Sequence, residues 1–372
     1  ENLYITIDAK LQAVAERAMN GQSGAVVDMD PSNGQVLALV STPTFDPNQF
    51  VVGIDPDTFK DLQDSIDKPL FNRALRGQYP PGSTIKPFVG LAGLDYGIVS
   101  PTTSTFCPGW YALPGDEHRY RDWKKGGHGV MTLHSAIVQS CDVYFYDLAY
   151  ALGIDHIYDF LSQFGFGQPT GIDIDGERSG LLPSRRWKRA ERHLPWYPGE
   201  TLITGIGQGF TLVTPLQLAA ATAVIANRGT YVKPHLLYAL QPPGSKDLNI
   251  QTPPPDDRHA VSIADTGEWD TVISAMHDVV SSVHGTAHGI DRNLDYTMAG
   301  KTGTAQVFEV AEDLKRNGGE TEEPDNPRLR DHGLFIAFAP VDKPRIVVAV
   351  VVEHGGGGGS AAAPVARTVI DQ

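Results

Sequence analysis

The chain has 372 residues, 41% apolar and 20% charged, with a formal net charge of −14. That balance fits one large or two smaller folded domains and excludes a disordered chain. The acidic surplus, with no basic stripe that dominates the sequence, argues against a nucleic-acid binder.

The chain opens on ENLYITIDAKLQ. No signal-peptide pattern is visible there, and the abrupt start suggests a fragment of a longer protein. Residues 9–20 have helical spacing and strong helix formers. Residues 24–41 are two β-rich runs around Pro31-Ser32-Asn33-Gly34, a hairpin signal. Residues 70–97 predict a loop closed by Pro80-Pro81-Gly82, then a helix stopped at Gly97. From about 130 to 230 the pattern is mostly helical, punctuated by Gly and Pro. Residues 240–257 read as a Pro-rich surface excursion, and 296–308, 333–341 and 345–354 as strands. The run Ile346 to Val352 is too short to span a bilayer and reads as a buried strand. The acidic stretch 309–331 reads as a solvated loop, and 361–372 as a closing helix. Strands at both ends and helices between them predict a mixed sheet flanked by helices.

The sharpest chemical signal is Ser83-Thr84-Ile85-Lys86 at a helix start. Positions i and i+3 share a helical face, which puts an amine beside a hydroxyl it can activate. Alone, this tetrapeptide reads as well as a serine capping a helix. Lys301-Thr302-Gly303 lies in a strand candidate far downstream, where Lys and Thr can hold a carboxylate and Gly lets a ligand approach the backbone. Between them stands Ser140-Cys141-Asp142. In an extended or turning chain Ser140 and Asp142 face one cleft and Cys141 faces away.

S-x-x-K, S-x-D and K-T-G in this order resemble the motif set of penicillin-binding proteins and serine β-lactamases. YPPGSTIKPF (79–88), RYRDWKKGGHG (119–129), GIGQGFTLVTPLQ (205–217) and GKTGTAQVF (300–308) carry the resemblance to the penicillin-binding transpeptidase domain, and to the class B group of rod elongation, penicillin-binding protein 2. The resemblance implies an α/β (α+β) fold: a five-stranded, mostly antiparallel sheet flanked by helices, with an all-helical lobe at roughly 98–230, spanning residues 1–372. A membrane anchor and pedestal domain would precede it.

It also implies a serine D,D-transpeptidase. Ser83 is then the nucleophile and Lys86 its base, Ser140 relays protons, and Lys301 supports the cleft and helps keep Lys86 neutral. Thr302, Gly303 and Thr304 line the carboxylate site, and the Ser83 and Thr304 N–H groups form the oxyanion hole. Asp142 stands where the family more often has asparagine, and offers acceptors but no amide donor. The implied partners are D-Ala-D-Ala stem peptides, β-lactams, and the glycosyltransferase and scaffold proteins of elongation, at the periplasmic face of the bacterial inner membrane. Two rivals share the motifs, a β-lactam sensor and a serine β-lactamase. The E-x-x-L-N stretch that carries the deacylating glutamate of class A β-lactamases does not occur in the sequence. GIGQG lacks the full pattern of a nucleotide-binding loop.

No cofactor is expected for catalysis. Cys107, Asp122, His128 and Cys141 lie within 35 residues and suit a structural zinc. A Cys107–Cys141 disulfide and plain core thiols remain alternatives. In the last, Leu133, Ile137, Cys141 and Leu148 share one helical stripe.

Overall fold

The computed structural model describes residues 2–250, 259–307 and 326–372. Most of the acidic stretch 309–331, and the end of the Pro-rich excursion, lie outside the described residues.

The turn around Pro31–Gly34 is held by Asp30, whose carboxylate accepts from the Ser32 N–H and hydroxyl and from the Asn33 amide. It joins β1 (Gly24–Met29) to β2 (Val36–Thr42). Three late strands complete the sheet: β3 (Ala299–Ala305), β4 (His332–Ala339) and β5 (Ile346–Val352). Their order is β3-β4-β5-β1-β2, and every pairing is antiparallel. Both ends of the chain thus build one sheet, with β3 as an edge.

Helix α1 (Ala9–Ala18), capped by Asp8, lies on β2. The other helices that matter here are α2 (Lys86–Asp95), α3 (Leu133–Val138), α4 (Asp142–Ser162), α5 (Arg185–Arg192), α6 (Pro198–Gly205), α7 (Pro215–Ala226), α8 (Gly267–Ser281) and α9 (Gly358–Ile370). Helix α9 packs on β3, β4 and β5 and also touches α1, while α7 packs on β1, β4 and β5. Helices α2, α3, α4, α6 and α8 pack on one another, and α8 also packs on β3. Helix α9 starts at Gly358, earlier than its sequence pattern: a β-carbon there would lie 2.1 Å from the Leu334 carbonyl, so only glycine lets the helix reach the sheet.

The lobe across the cleft is not wholly helical. Ser104–Cys107 pairs with Gly129–Thr132, and Trp110–Tyr111 with Tyr120–Arg121. The expected single stripe is also broken. Leu133 and Ile137 lie on α3, Leu148 lies on α4, and Cys141 is the N-cap between them. The break comes at Ser140, whose φ of 57° ends the first helix. All four side chains are buried regardless.

Among the described charged residues that the fold buries, Asp28 stands without a partner. Asp28 on β1 is fully buried, and neither carboxylate oxygen has a hydrogen-bond partner among the described residues. Burial pushes its pKa well above the usual value of 3.8. Above that pH the unfolded chain gives up a proton that the folded chain keeps. Asp28 therefore lowers stability as pH rises, by up to about 1.4 kcal/mol per pH unit until it ionises in the fold. Asp28→Val is expected to raise the melting temperature at pH 7 and to flatten that decline in denaturation series between pH 5 and 8.

Candidate active site

Pro80 and Pro81 lead into a single 3-10 turn, Gly82–Ile85, which runs directly into α2 at Lys86. Ser83 sits half-buried in that turn. Gly82 has φ +52°, and a β-carbon there would lie 2.5 Å from the Thr304 carbonyl oxygen. The serine turn therefore rests against the backbone of β3. Gly303 serves the same approach. Its missing β-carbon would meet Thr84 Cγ2 at 2.8 Å and the Pro81 carbonyl at 2.9 Å. The side of Gly303 where a β-carbon would stand is filled by the serine turn.

Lys86 has no solvent exposure. Its Nζ donates to the Ser140 carbonyl at 2.8 Å, to the Ser140 hydroxyl at 3.3 Å and to Asp142 Oδ1 at 2.7 Å. The buried amine thus has three polar partners, as a polar group out of contact with water requires. The Phe145 ring lies 5.5 Å away. Ser140 and Asp142 do face one cleft, but through the left-handed turn at Ser140 rather than strand alternation. That turn presents both the carbonyl and the hydroxyl of Ser140 to one amine.

Lys301 is also fully buried, and donates to the Thr302 carbonyl at 3.1 Å. Burial first, then the charge of Lys86, push its pKa well below the usual lysine range, with Asp142 opposing. The pressure toward neutrality falls on Lys301. The Thr302 and Thr286 hydroxyls share a 2.6 Å bond, whereas Thr304 is exposed.

Several neighbours had no role assigned from sequence. Gln208 donates to the Thr304 carbonyl at 2.9 Å. The Trp123 indole N–H donates to the Ser140 carbonyl at 3.1 Å, and its backbone N–H donates to Asp142 Oδ2 at 3.1 Å. Trp123 and Gln208 lie in stretches already notable as family-like, while nothing in the sequence marks Thr286.

Behind this cluster lies a second one. Asp122 Oδ2 accepts from the Asp142 and Val143 N–H groups at 2.8 and 3.1 Å, and from the Cys107 and Cys141 thiols at 3.5 and 3.4 Å. Its Oδ1 accepts from the Lys124 N–H and lies 3.1 Å from His128 Nε2. Burial alone would raise this carboxyl. The bonds from His128, Lys124 and Val143 outweigh it and hold the pKa well below the carboxylate range. Both cysteines are buried free thiols, so no disulfide joins them. Cys107, Asp122 and Cys141 place one donor atom each within 4.8 Å of one another. His128 stands on the far oxygen of Asp122, outside that trio.

The family model for the penicillin-binding protein transpeptidase domain matches residues 24–371. The chain belongs to this family. Peptidoglycan D,D-transpeptidase MrdA of Acinetobacter baumannii is 48% identical over 349 residues, covering 94% of this chain and 50% of that protein. The crystal structure of Pseudomonas aeruginosa PBP2 in complex with WCK 5153 superimposes with a TM-score of 0.89 at 48% identity, covering 99% of this chain and 75% of that one. PBP2 of Helicobacter pylori, solved in complex with MreC, gives 0.85 at 33% identity, covering 99% and 63%. The chain spans about half the length of the curated relatives it matches.

In this penicillin-binding transpeptidase domain the Asp142 carboxylate accepts from Lys86 and from the Trp123 N–H, two bonds open to a carboxylate. Asp122→Ala would leave two N–H groups at the head of α4 and the buried His128 without their acceptor. A loss of about 3–5 kcal/mol is expected in chemical denaturation.

Proposed function

We propose that this chain is the catalytic unit of a peptidoglycan D,D-transpeptidase of rod-shape elongation, working through a serine acyl-enzyme and open to acylation by β-lactams. The observation that carries the reading is the Lys86 amine, bound to Ser140 and Asp142 one helical turn from Ser83 and beside Lys301. Relatives named as D,D-transpeptidases support it.

Ser83 Oγ attacks the carbonyl carbon of the penultimate D-alanine as its proton passes to the unprotonated Lys86 amine. The N–H groups of Ser83 and Thr304 receive the oxyanion. The Ser140 hydroxyl, 3.3 Å from Lys86 Nζ, hands its proton to the departing nitrogen and takes the one Lys86 received, and D-alanine leaves. The amine of a second stem peptide then attacks the ester, forms the cross-link and returns the proton to Ser83. Thr304, being exposed, takes the terminal carboxylate, and Thr302, tied to Thr286, steadies the strand. Lys301 braces the strand from beneath through the Thr302 carbonyl.

We also propose that Cys107, Asp122, Cys141 and His128 hold a structural zinc. Two thiols and a carboxylate oxygen, buried and close together, are donors that suit it. The ion would brace the loop behind Ser140 and Asp142 and take no part in a chemical step. By analogy with the MreC complex, scaffold proteins of elongation and a glycan polymerase are the expected partners, at the periplasmic face of the inner membrane. Among the described residues no helix is long and apolar enough to cross a membrane.

Two measurements test these readings. Incubated with a pentapeptide strand ending in D-Ala-D-Ala, the protein should release D-alanine and form cross-linked dimer, while folded Ser83→Ala forms neither. Release without dimer would make it a carboxypeptidase, and no release by the wild type would refute the enzyme reading. Elemental analysis should find about one zinc per chain, lost in Cys107→Ser. Zinc-free protein with both thiols titratable would rule the metal out.

A further inference from the structure

The acidic total of the chain hides one strongly cationic element. Helix α5, RRWKRAER, carries four arginines and a lysine against one glutamate. Lys188 is used inside the fold: it is buried, bonded to Glu200, and lies 4.2 Å from the Tyr197 ring. Arg185 pairs with Asp155 at 2.9 Å. Arg186 and Arg189 are exposed, with no hydrogen bond or ion pair among the described residues. Arg192, also exposed, lies only over the Phe210 ring at 5.9 Å. Arg186, Arg189 and Arg192 follow one another at i, i+3 spacing, so they share a face and repel. A face kept cationic without internal counter-charges matches an anion brought from outside, and guanidinium forks match carboxylates in particular.

The position of the helix says which anion. Trp187 packs on Phe210 at 5.1 Å, and Phe210 is two residues from Gln208, which holds the Thr304 carbonyl. The cationic face is therefore anchored, through one aromatic contact, to the exposed Thr304 end of the cleft. Its other end, at Arg185, borders a cavity of about 160 Å³ lined by Tyr150, Gly153, Arg185, Trp196, Pro198 and Thr201. That cavity lies at the break in α4, where Gly153 leaves helical geometry.

We propose that the exposed face of α5 and the adjoining cavity dock the acidic peptide of the acyl-accepting peptidoglycan strand, by pairing its carboxylates with Arg186, Arg189 and Arg192. This rests on the transpeptidase reading above. A strand docked there runs along the protein from the cleft outward, which delivers its amine to the acyl-enzyme while the donor occupies Ser83 and Thr304. None of the three arginines touches the donor, so they set acceptor affinity and leave acylation alone.

The test compares the wild-type chain with Arg186→Glu/Arg189→Glu. Both are assayed for acylation by a fluorescent penicillin and for binding to soluble, uncross-linked peptidoglycan strands. The same strands with amidated carboxylates, and vesicles rich in anionic lipid, complete the set. The expected result is unchanged acylation and strand binding weakened at least about ten-fold in the variant. Wild-type affinity should also fall with added salt and on amidation of the strands. Equal binding by variant and wild type, indifference to amidation, no binding by the wild type, or a loss confined to vesicles would each overturn the proposal. A wild-type chain that binds strands but is never acylated would refute the transpeptidase reading and leave the anionic docking face standing.

Discussion

A lysine amine buried beyond the reach of water must either find acceptors for its protons or give one up. This cleft contains two such amines, Lys86 and Lys301, with a single carboxylate, Asp142, close by. The fold resolves the conflict unequally. Lys86 receives three acceptors, whereas Lys301 has one carbonyl and the neighbouring positive charge, and is pushed toward neutrality. The arrangement fixes the Lys86 amine one turn from Ser83 and out of contact with water. The aspartate at position 142 suits its contacts with Lys86 and the Trp123 N–H, since both are bonds that a carboxylate accepts.

Those acceptors exist only because of how two helices meet. Ser140, in a left-handed conformation, reverses the chain between α3 and α4, and Asp142 begins the second helix. The junction is held from behind. Asp122 receives the first N–H groups of α4, and Trp123 holds both the Ser140 carbonyl and Asp142. The loop 119–129 lies far from the nucleophile in sequence yet positions its base. Cys141 is placed between two catalytic-motif residues because the helix needs a small buried cap there, facing away from the cleft toward Cys107 and Asp122.

The pairing of Ser83 with Lys86 and the strand from Lys301 to Thr304 were legible because each rests on local periodicity: one helical turn for the first, an extended run for the second. The hairpin at Asn33-Gly34 and the buried strand at 346–352 were legible for the same reason. What escaped depends on contacts between distant segments. That the serine turn packs against Gly303 is not visible in either stretch alone. Ser140 gives no sign of its left-handed turn, because serine rarely adopts one. The two short ladders near 104–132 are too brief to show alternation. The bond between His128 and Asp122 joins two loop positions that no periodicity links. The arginines of α5 were lost in a net charge, which is a sum and carries no position.

The central claim is that Lys86, wired to Ser140 and Asp142, activates Ser83. It is tested most directly by the second-order rate constant for penicillin acylation of Lys86→Met, with circular dichroism to confirm the fold. The account predicts a folded protein acylated about 10²–10⁴-fold more slowly, the range a general base supplies. A folded variant acylated at close to the wild-type rate would contradict it.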